Sequence, residues 1–465
     1  MGASSCGGIK GANTTFQESL NAGILPKSSS LAFNSLFSKY IFDLKKNDTK
    51  ELVDLSLNLA QAKNPLTNEM EKYLAIGLLS SEDGKNYREP LSLIIVLDVS
   101  GSMNCTLSKG NKMDLAKSCV KNIYKKLNHD EALGLVTFNN SSQTILNLQK
   151  KKNINEEEFF NKVEKLIAGG GTSIMLGYNS AVKMMNEELK NLTGPVPNNK
   201  RIIFITDALI NDKSESDDLF NLNLSASTRP SDMFTTFIGV GIDFDTDLIA
   251  RLTKVRGSNY FAVHSDQEFI KTLQDDFNYI VTPISFEVYV KVESSDFEIE
   301  RTYGSDFDFN GDETQDSVKE MKKGGVIRLE TLMAYEKNTE GIKGGVVLVK
   351  LKEKEGKKFE NQESKKMNVV LQYEDVSGLK KEKQMTIEQN IPNENEEFPC
   401  SGVRKALCLT RYVCFVKELI EKKKDIVKAH PKAESFLAYF KQEMKALNDK
   451  ELEGEYENLL NIINL

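Results

Sequence analysis

Three short stretches of the 465-residue chain carry oxygen side chains in a pattern that suits a hard divalent cation. Asp98-Val-Ser100-Gly-Ser102 places a carboxylate and two hydroxyls on alternate residues, so in a turn all three point the same way. Ala168-Gly-Gly-Gly-Thr172-Ser173 offers a third hydroxyl where a glycine loop enters a helix, and Thr206-Asp207 supplies a second carboxylate. Hard oxygen donors with room for water suit Mg²⁺ or Mn²⁺, octahedral at about 2.0–2.1 Å for Mg²⁺, and Ca²⁺ is a further candidate. Two negative charges and neutral direct ligands leave such an ion electrophilic, so it favours a carboxylate from outside as its last ligand. Taken singly, Asp98, Ser100 and Ser102 also fit a capped strand-to-helix turn without metal. Their agreement with Thr172 and Asp207 favours the metal site.

The elements around these residues explain how they can meet. Leu93–Leu97 and Ile202–Thr206 are continuously apolar and β-branched, as in strands buried on both faces, and each runs directly into an aspartate. Further strands are predicted at Ala132–Phe138, Met233–Val240 and Tyr260–Val263. Helices are predicted near Met113–Leu127, Glu156–Ile167 and Ile174–Leu189, and again after Asp245 and Ser265. Strand and helix alternate as in a doubly wound, mostly parallel α/β sheet, where ligands bind at the carboxyl edge of the strands. Both aspartates fall on that edge.

With these elements in place, residues 91–282 resemble a von Willebrand factor A (vWA) domain. Asp98-x-Ser100-x-Ser102, the loop at Thr172 and the strand end at Asp207 match its metal-ion-dependent adhesion site, with all five ligand positions filled. Ala208 stands where the family often has glycine. The resemblance implies a metal held by the two serines and the threonine, directly or through water, with the aspartates holding waters. It also implies that an acidic residue of a protein partner completes the shell. The flanks are similar to inter-α-trypsin-inhibitor heavy chains and related bacterial proteins, where segments on both sides of the A domain form one β-sandwich.

Residues 1–30 are rich in Gly, Ser, Asn and Thr and are expected to be a disordered tail. Residues 31–90 are expected to give a strand at Tyr73–Ser80 to a sandwich-like β domain spanning 283–395, whose stretches at Phe286–Val292, Gly345–Leu351 and Met367–Tyr373 alternate with period two. Residues 396–465 carry helical patterns at Val403–Ile420, Glu434–Leu447 and Glu453–Ile463.

Composition narrows the function. With 61 Lys+Arg against 68 Asp+Glu and a net charge of −7, a dedicated nucleic-acid binder is disfavoured. No stretch reaches the roughly 18 apolar residues of a membrane span. Free cysteines and the absence of an apolar leader favour the cytoplasm. Gly2 and Cys6 are candidates for acylation, which would tie the chain to a membrane surface. Asp306-x-Asp308-x-Asn310-Gly311 copies half of a calcium loop, but Ser317 stands at the twelfth position, so a hairpin turn is the better reading. Asp243-Phe-Asp245-Thr-Asp247 reads as the start of a helix, Lys422–Lys424 as a solvated face, and Cys105 as an inert thiol.

The function expected is therefore a non-enzymatic, metal-dependent protein-binding or adhesion module. A structural scaffold with an idle metal site is one alternative. A Mg²⁺-dependent phosphatase is another, but its leaving-group acid would have to stand where Ser100 does.

Overall fold

The computed structural model describes residues 4–5, 12–31, 33–44, 50–82, 87–107, 110–207, 232–241, 255–263, 265, 270, 277–304, 326–334, 341–354, 365–389, 396–421 and 432–465. Outside them lie Gly2, Cys6, Ala208, the Asp243–Asp247 cluster, the Asp306–Ser317 loop, Lys422–Lys424 and most of the stretches expected to be helical after Asp245 and Ser265. The chain divides into two units. One is Gly84–Pro283; the other is assembled from the segments on either side, Ala12–Asp83 and Ile284–Leu465.

The Gly84–Pro283 unit is built on a six-stranded sheet. Its order is Asn259–Val263, Met233–Val240, Asn199–Thr206, Leu91–Asp98, Ala132–Phe138 and Ser142–Lys150, and every pair is parallel except the last. All eight residues of Leu91–Asp98 are buried, because helices cover both faces of this strand. Leu93, Ile95 and Leu97 share a core with Met113, Ala116, Val120 and Ile123 of the helix Lys112–Lys126, and with Phe159 and Val163 of the helix Glu156–Glu164. On the opposite face, Ile94 and Val96 approach Gly134 and Gly177, the latter in the helix Ile174–Glu188. At Gly177 a β-carbon would fall 2.7 Å from the Phe138 ring and 2.9 Å from Val96, so the helix lies close to the sheet only because that side chain is missing. Leu91–Asp98 has Ala132–Phe138 on one side and Asn199–Thr206 on the other, which makes it the strand where the winding reverses. Doubly wound folds open their ligand crevice at that reversal.

The second unit holds a four-stranded sheet, ordered Phe297–Tyr303, Val346–Glu353, Met70–Leu79 and Asp54–Lys63, with antiparallel neighbours. A five-stranded sheet orders Ser4–Ser5, Val326–Met333, Pro283–Ser294, Lys365–Asp375 and Lys380–Gln389. The helices Ser401–Glu421, Ala433–Leu447 and Glu453–Asn464 pack Leu407, Tyr412, Phe436, Phe440 and Leu459 into one core with Leu36, Phe37 and Tyr40. The expected class, a mostly parallel α/β domain with added β-rich sheets and C-terminal helices, is the one observed.

Three expectations change. The first thirty residues are not all a disordered tail: Ala12–Asn21 is a helix, and its Phe16 and Leu20, four residues apart on one face, are buried in the core of the C-terminal helices. Residues 31–90 contribute more than the single short strand expected: Asp54–Lys63 pairs along its whole length with Met70–Leu79, and Ile41–Phe42 adds a two-residue strand. The Gly84–Pro283 unit gains the antiparallel edge strand Ser142–Lys150, which has no counterpart among the predicted strands.

Candidate functional site

The aspartates meet because the two apolar strands end side by side. Leu97 is in register with Ile205 across the sheet, so Asp98 and Thr206 emerge together at the carboxyl edge, with Asp207 one residue beyond. Asp98 then shapes its own turn. Its Oδ1 accepts from the backbone N–H of Ser100 at 2.8 Å, an Asx turn that lifts the following residues over the sheet edge. Gly101–Asn104 continues as one turn of 3₁₀ helix.

Further short contacts link Asp98, Ser100, Ser102 and Asp207 to one another or to their neighbours. Thr206 Oγ1 donates to Asp98 Oδ2 at 2.6 Å. The hydroxyls of Ser100 and Ser102 are 3.0 Å apart, and Ser102 Oγ donates to Asp207 Oδ1 at 2.8 Å. The remaining oxygen of Asp207, Oδ2, accepts from Lys112 Nζ at 2.9 Å. The floor is buried, with Asp98, Ser100 and Asp207 at 0%, 1% and 5% exposure, whereas Ser102 is exposed. Burial pushes the Asp98 carboxyl above the usual carboxylate range, and the charge of Asp207 adds to the rise; the bonds from Thr206 and Ser100 oppose it.

Thr172 stands apart from these contacts. It is exposed and makes no hydrogen bond to the other four residues. Its loop is nonetheless fastened beside them: Gly169 N donates to Val99 O at 2.8 Å and Gly101 N to Gly170 O at 2.9 Å. Asn104 Nδ2 reaches Ala168 O at 3.1 Å, and Asn139 Nδ2 reaches Gly169 O at 2.9 Å. Gly170 has φ +83°, and a β-carbon there would meet Asn140 Oδ1 at 2.6 Å, so the close approach requires glycine.

Thr206 and Lys112 belong to the site without having been singled out from the sequence. Thr206 precedes an aspartate at a strand end, and its hydroxyl reads there as core. Lys112 did carry a signal. It follows the N-cap Asn111, and a cation in the first turn opposes the helix dipole unless an anion holds it.

The donor set fits a small divalent ion. Octahedral bonds of about 2.0–2.1 Å put neighbouring oxygens roughly 2.8–3.0 Å apart. The Ser100–Ser102 and Ser102–Asp207 separations of 3.0 and 2.8 Å fall in that range. Among the described residues no group of three or more His, Cys, Asp or Glu side chains gathers as a metal site, so a cation here depends on the hydroxyls.

Comparison with known proteins supports the same reading of the fold. The profile of the von Willebrand factor type A domain matches residues 93–209. An uncharacterised protein of Synechocystis sp. is 24% identical over 230 residues, covering 48% of this chain and 50% of that protein. This chain therefore spans about half the length of the relative it matches. A von Willebrand factor type A protein from Catenulispora acidiphila superposes with a TM-score of 0.50 at 12% identity, covering 87% of this chain and 89% of that one. Proximal thread matrix protein 1 from the mussel byssus, in a structure described as having a zinc-occupied MIDAS motif, superposes with a TM-score of 0.30 at 20% identity. Its match covers 42% of this chain and 45% of that one. Residues 93–209 of the Gly84–Pro283 unit, hereafter the A unit, thus match the type A model, and the unit has a vWA-like, mostly parallel α/β fold.

Proposed function

We propose that this A domain holds one divalent cation on Asp98, Ser100, Ser102, Thr172 and Asp207, and through it binds an acidic side chain of a protein partner. The observation that carries the reading is the line of oxygens at 3.0 and 2.8 Å, resting on a buried carboxylate floor with exposed Ser102 at its mouth. Ser100 and Ser102 hold the ion, Asp98 and Asp207 balance its charge, and Thr172 closes the shell from the glycine loop. The bound ion supplies an electrophilic position open to a carboxylate. Neutral hydroxyls and carboxylates with room for water suit Mg²⁺ or Mn²⁺, with Ca²⁺ as the alternative.

Binding rather than catalysis is favoured because the donors are two carboxylates and neutral hydroxyls, with Ser100 where a phosphatase of this general design needs an acid. The reading extends to domains at 91–282, 283–395 and 396–465, with flanks arranged as in inter-α-trypsin-inhibitor heavy chains. It also extends to a cytoplasmic chain tied to a membrane by acyl groups on Gly2 and Cys6. Among the described residues no helix is long and apolar enough to cross a membrane. Mass spectrometry of the N-terminus tests the acyl groups directly.

The binding test compares proteins captured by the immobilised full chain in Mg²⁺ and in EDTA, beside an Asp207→Ala chain. Partners lost both on chelation and on substitution are expected. Capture indifferent to both would overturn the reading.

A further inference from the structure

Lys112 is built into the site from below. It opens the helix Lys112–Lys126, yet it is only 8% exposed, and its ammonium meets Asp207 Oδ2 at 2.9 Å. Its position is prepared from two sides. Backbone N–H of Lys112 donates to Cys105 O at 3.1 Å, which ties the start of the helix to the end of the serine turn. At the end of Met233–Val240, Gly241 adopts φ +110°, and a β-carbon there would fall 2.7 Å from Lys112 Cε and 3.1 Å from Nζ. The missing side chain at Gly241 leaves the slot through which the lysine stem passes.

We propose that Lys112 is an internal counter-cation: it holds Asp207 while the site is empty and competes with the divalent ion for that carboxylate, setting how tightly the ion is bound. The inference rests on the metal-site reading given above. Two physical effects act in the same direction. A fixed positive charge beside the ion repels it, and the repulsion is poorly screened at a buried position. In addition, the empty site is stabilised by the Lys112–Asp207 bond, which an entering ion must weaken or lose. Counting charges, Asp98, Asp207 and Lys112 sum to −1, so the loaded site carries +1 and needs an anionic ligand more than a site of two carboxylates alone would.

The test is Mn²⁺ titration of the full chain by calorimetry, comparing wild type, Lys112→Met and Lys112→Arg, with thermal melting in EDTA and in Mn²⁺ as a second readout. Lys112→Met is expected to bind Mn²⁺ at least tenfold more tightly, to melt lower in EDTA, and to gain more from Mn²⁺ than wild type does. Lys112→Arg, which keeps the charge, is expected to bind as wild type does. Should Lys112→Met fail to fold, Lys112→Gln takes its place with the same expectation. A folded neutral variant that binds Mn²⁺ equally or more weakly, while wild type binds it, overturns the role of Lys112 and leaves the metal site standing. Millimolar Mn²⁺ bound by neither chain overturns the metal-site reading, and this inference with it.

Discussion

Two polar sites, one in each unit, neutralise their carboxylates differently. In the unit around the two β-rich sheets, Glu71 is met by cations on both oxygens. Its Oε2 accepts from Arg411 Nη2 at 3.0 Å and from the Tyr73 hydroxyl at 2.7 Å; Lys350 lies 3.1 Å from Oε1, and Asn64 donates to the same atom at 3.1 Å. Burial works against its charge, but the hydrogen bonds from Asn64 and Tyr73 and the charges of Lys350 and Arg411 hold it below the usual carboxylate range. In the A unit, Asp98 has only neutral donors, Ser100 N–H and the Thr206 hydroxyl, and its pKa moves up. Lys112 is the cation paired with Asp207. One carboxylate facing two cations is a finished structural joint. Two carboxylates facing one cation form a site that still attracts positive charge.

Breaking the finished joint should cost most. Glu71→Gln leaves buried Arg411 without its carboxylate, while half-buried Lys350 keeps Glu300 at 2.9 Å, and a loss of about 3 kcal/mol is expected from urea unfolding of the β-rich unit. Asp98→Asn, which strands no cation, should change metal-free stability by less than about 1 kcal/mol. If the two substitutions cost the same, the contrast fails.

Metal should sharpen the contrast next. At a hundredfold excess over its dissociation constant, Mg²⁺ should stabilise the A unit by about 2.7 kcal/mol and leave the β-rich unit unmoved. Asp98→Asn should abolish that gain in a melt followed with and without EDTA. Gly170→Ala forces a side chain into the left-handed region and against Asn140. It should cost about 1–2 kcal/mol in the A unit and weaken Mg²⁺ binding, as read by the same melts.

The smallest effect is in pH. Glu71, depressed when folded, contributes stability that is present above its unfolded pKa and lost as pH falls through its folded value. Asp98, raised when folded, contributes in the opposite sense: its favourable term is present below its unfolded pKa and lost as pH rises through the folded value. In EDTA, the deficit of Glu71→Gln should therefore shrink on acidification, while Asp98→Asn should gain on wild type as pH rises. Melting curves between about pH 3 and 7 read both slopes.

Much of the A unit was legible because its strands are buried on both faces and their apolar runs leave no alternative. Ala132–Phe138 and Met233–Val240 begin and end where the sequence places them, and Asp98 and Asp207 follow their strands onto one edge. What escaped notice was polar sequence under apolar structure. Asp54–Lys63 carries Ser56, Asn58 and Gln61 at buried positions, with Asn58 donating to Ser56 at 3.0 Å, and these residues interrupt the pattern that marks a strand. Ser142–Lys150 is an edge strand with exposed Ser142, Gln143 and Thr144, where water replaces burial as the selecting force. The helix Ala12–Asn21 depends on Phe16 and Leu20 meeting a core from the far end of the chain, a contact that no local window contains. In the site, the meeting of Asp98, Ser100, Ser102 and Asp207 was legible from the strand ends that carry them. The pairing of Lys112 with Asp207, 95 residues on, was not, although a cation in the first turn of a helix marks a position that an anion must hold.

One ion held by hydroxyls at the carboxyl edge of the sheet underlies the proposed binding. Anomalous diffraction from crystals of the full chain grown in Mn²⁺ tests this most directly. We expect a single strong peak bounded by the Ser100 and Ser102 hydroxyls, with Thr172 drawn in and Asp98 and Asp207 behind. A peak elsewhere with this edge empty, or no peak at saturating Mn²⁺, would contradict it.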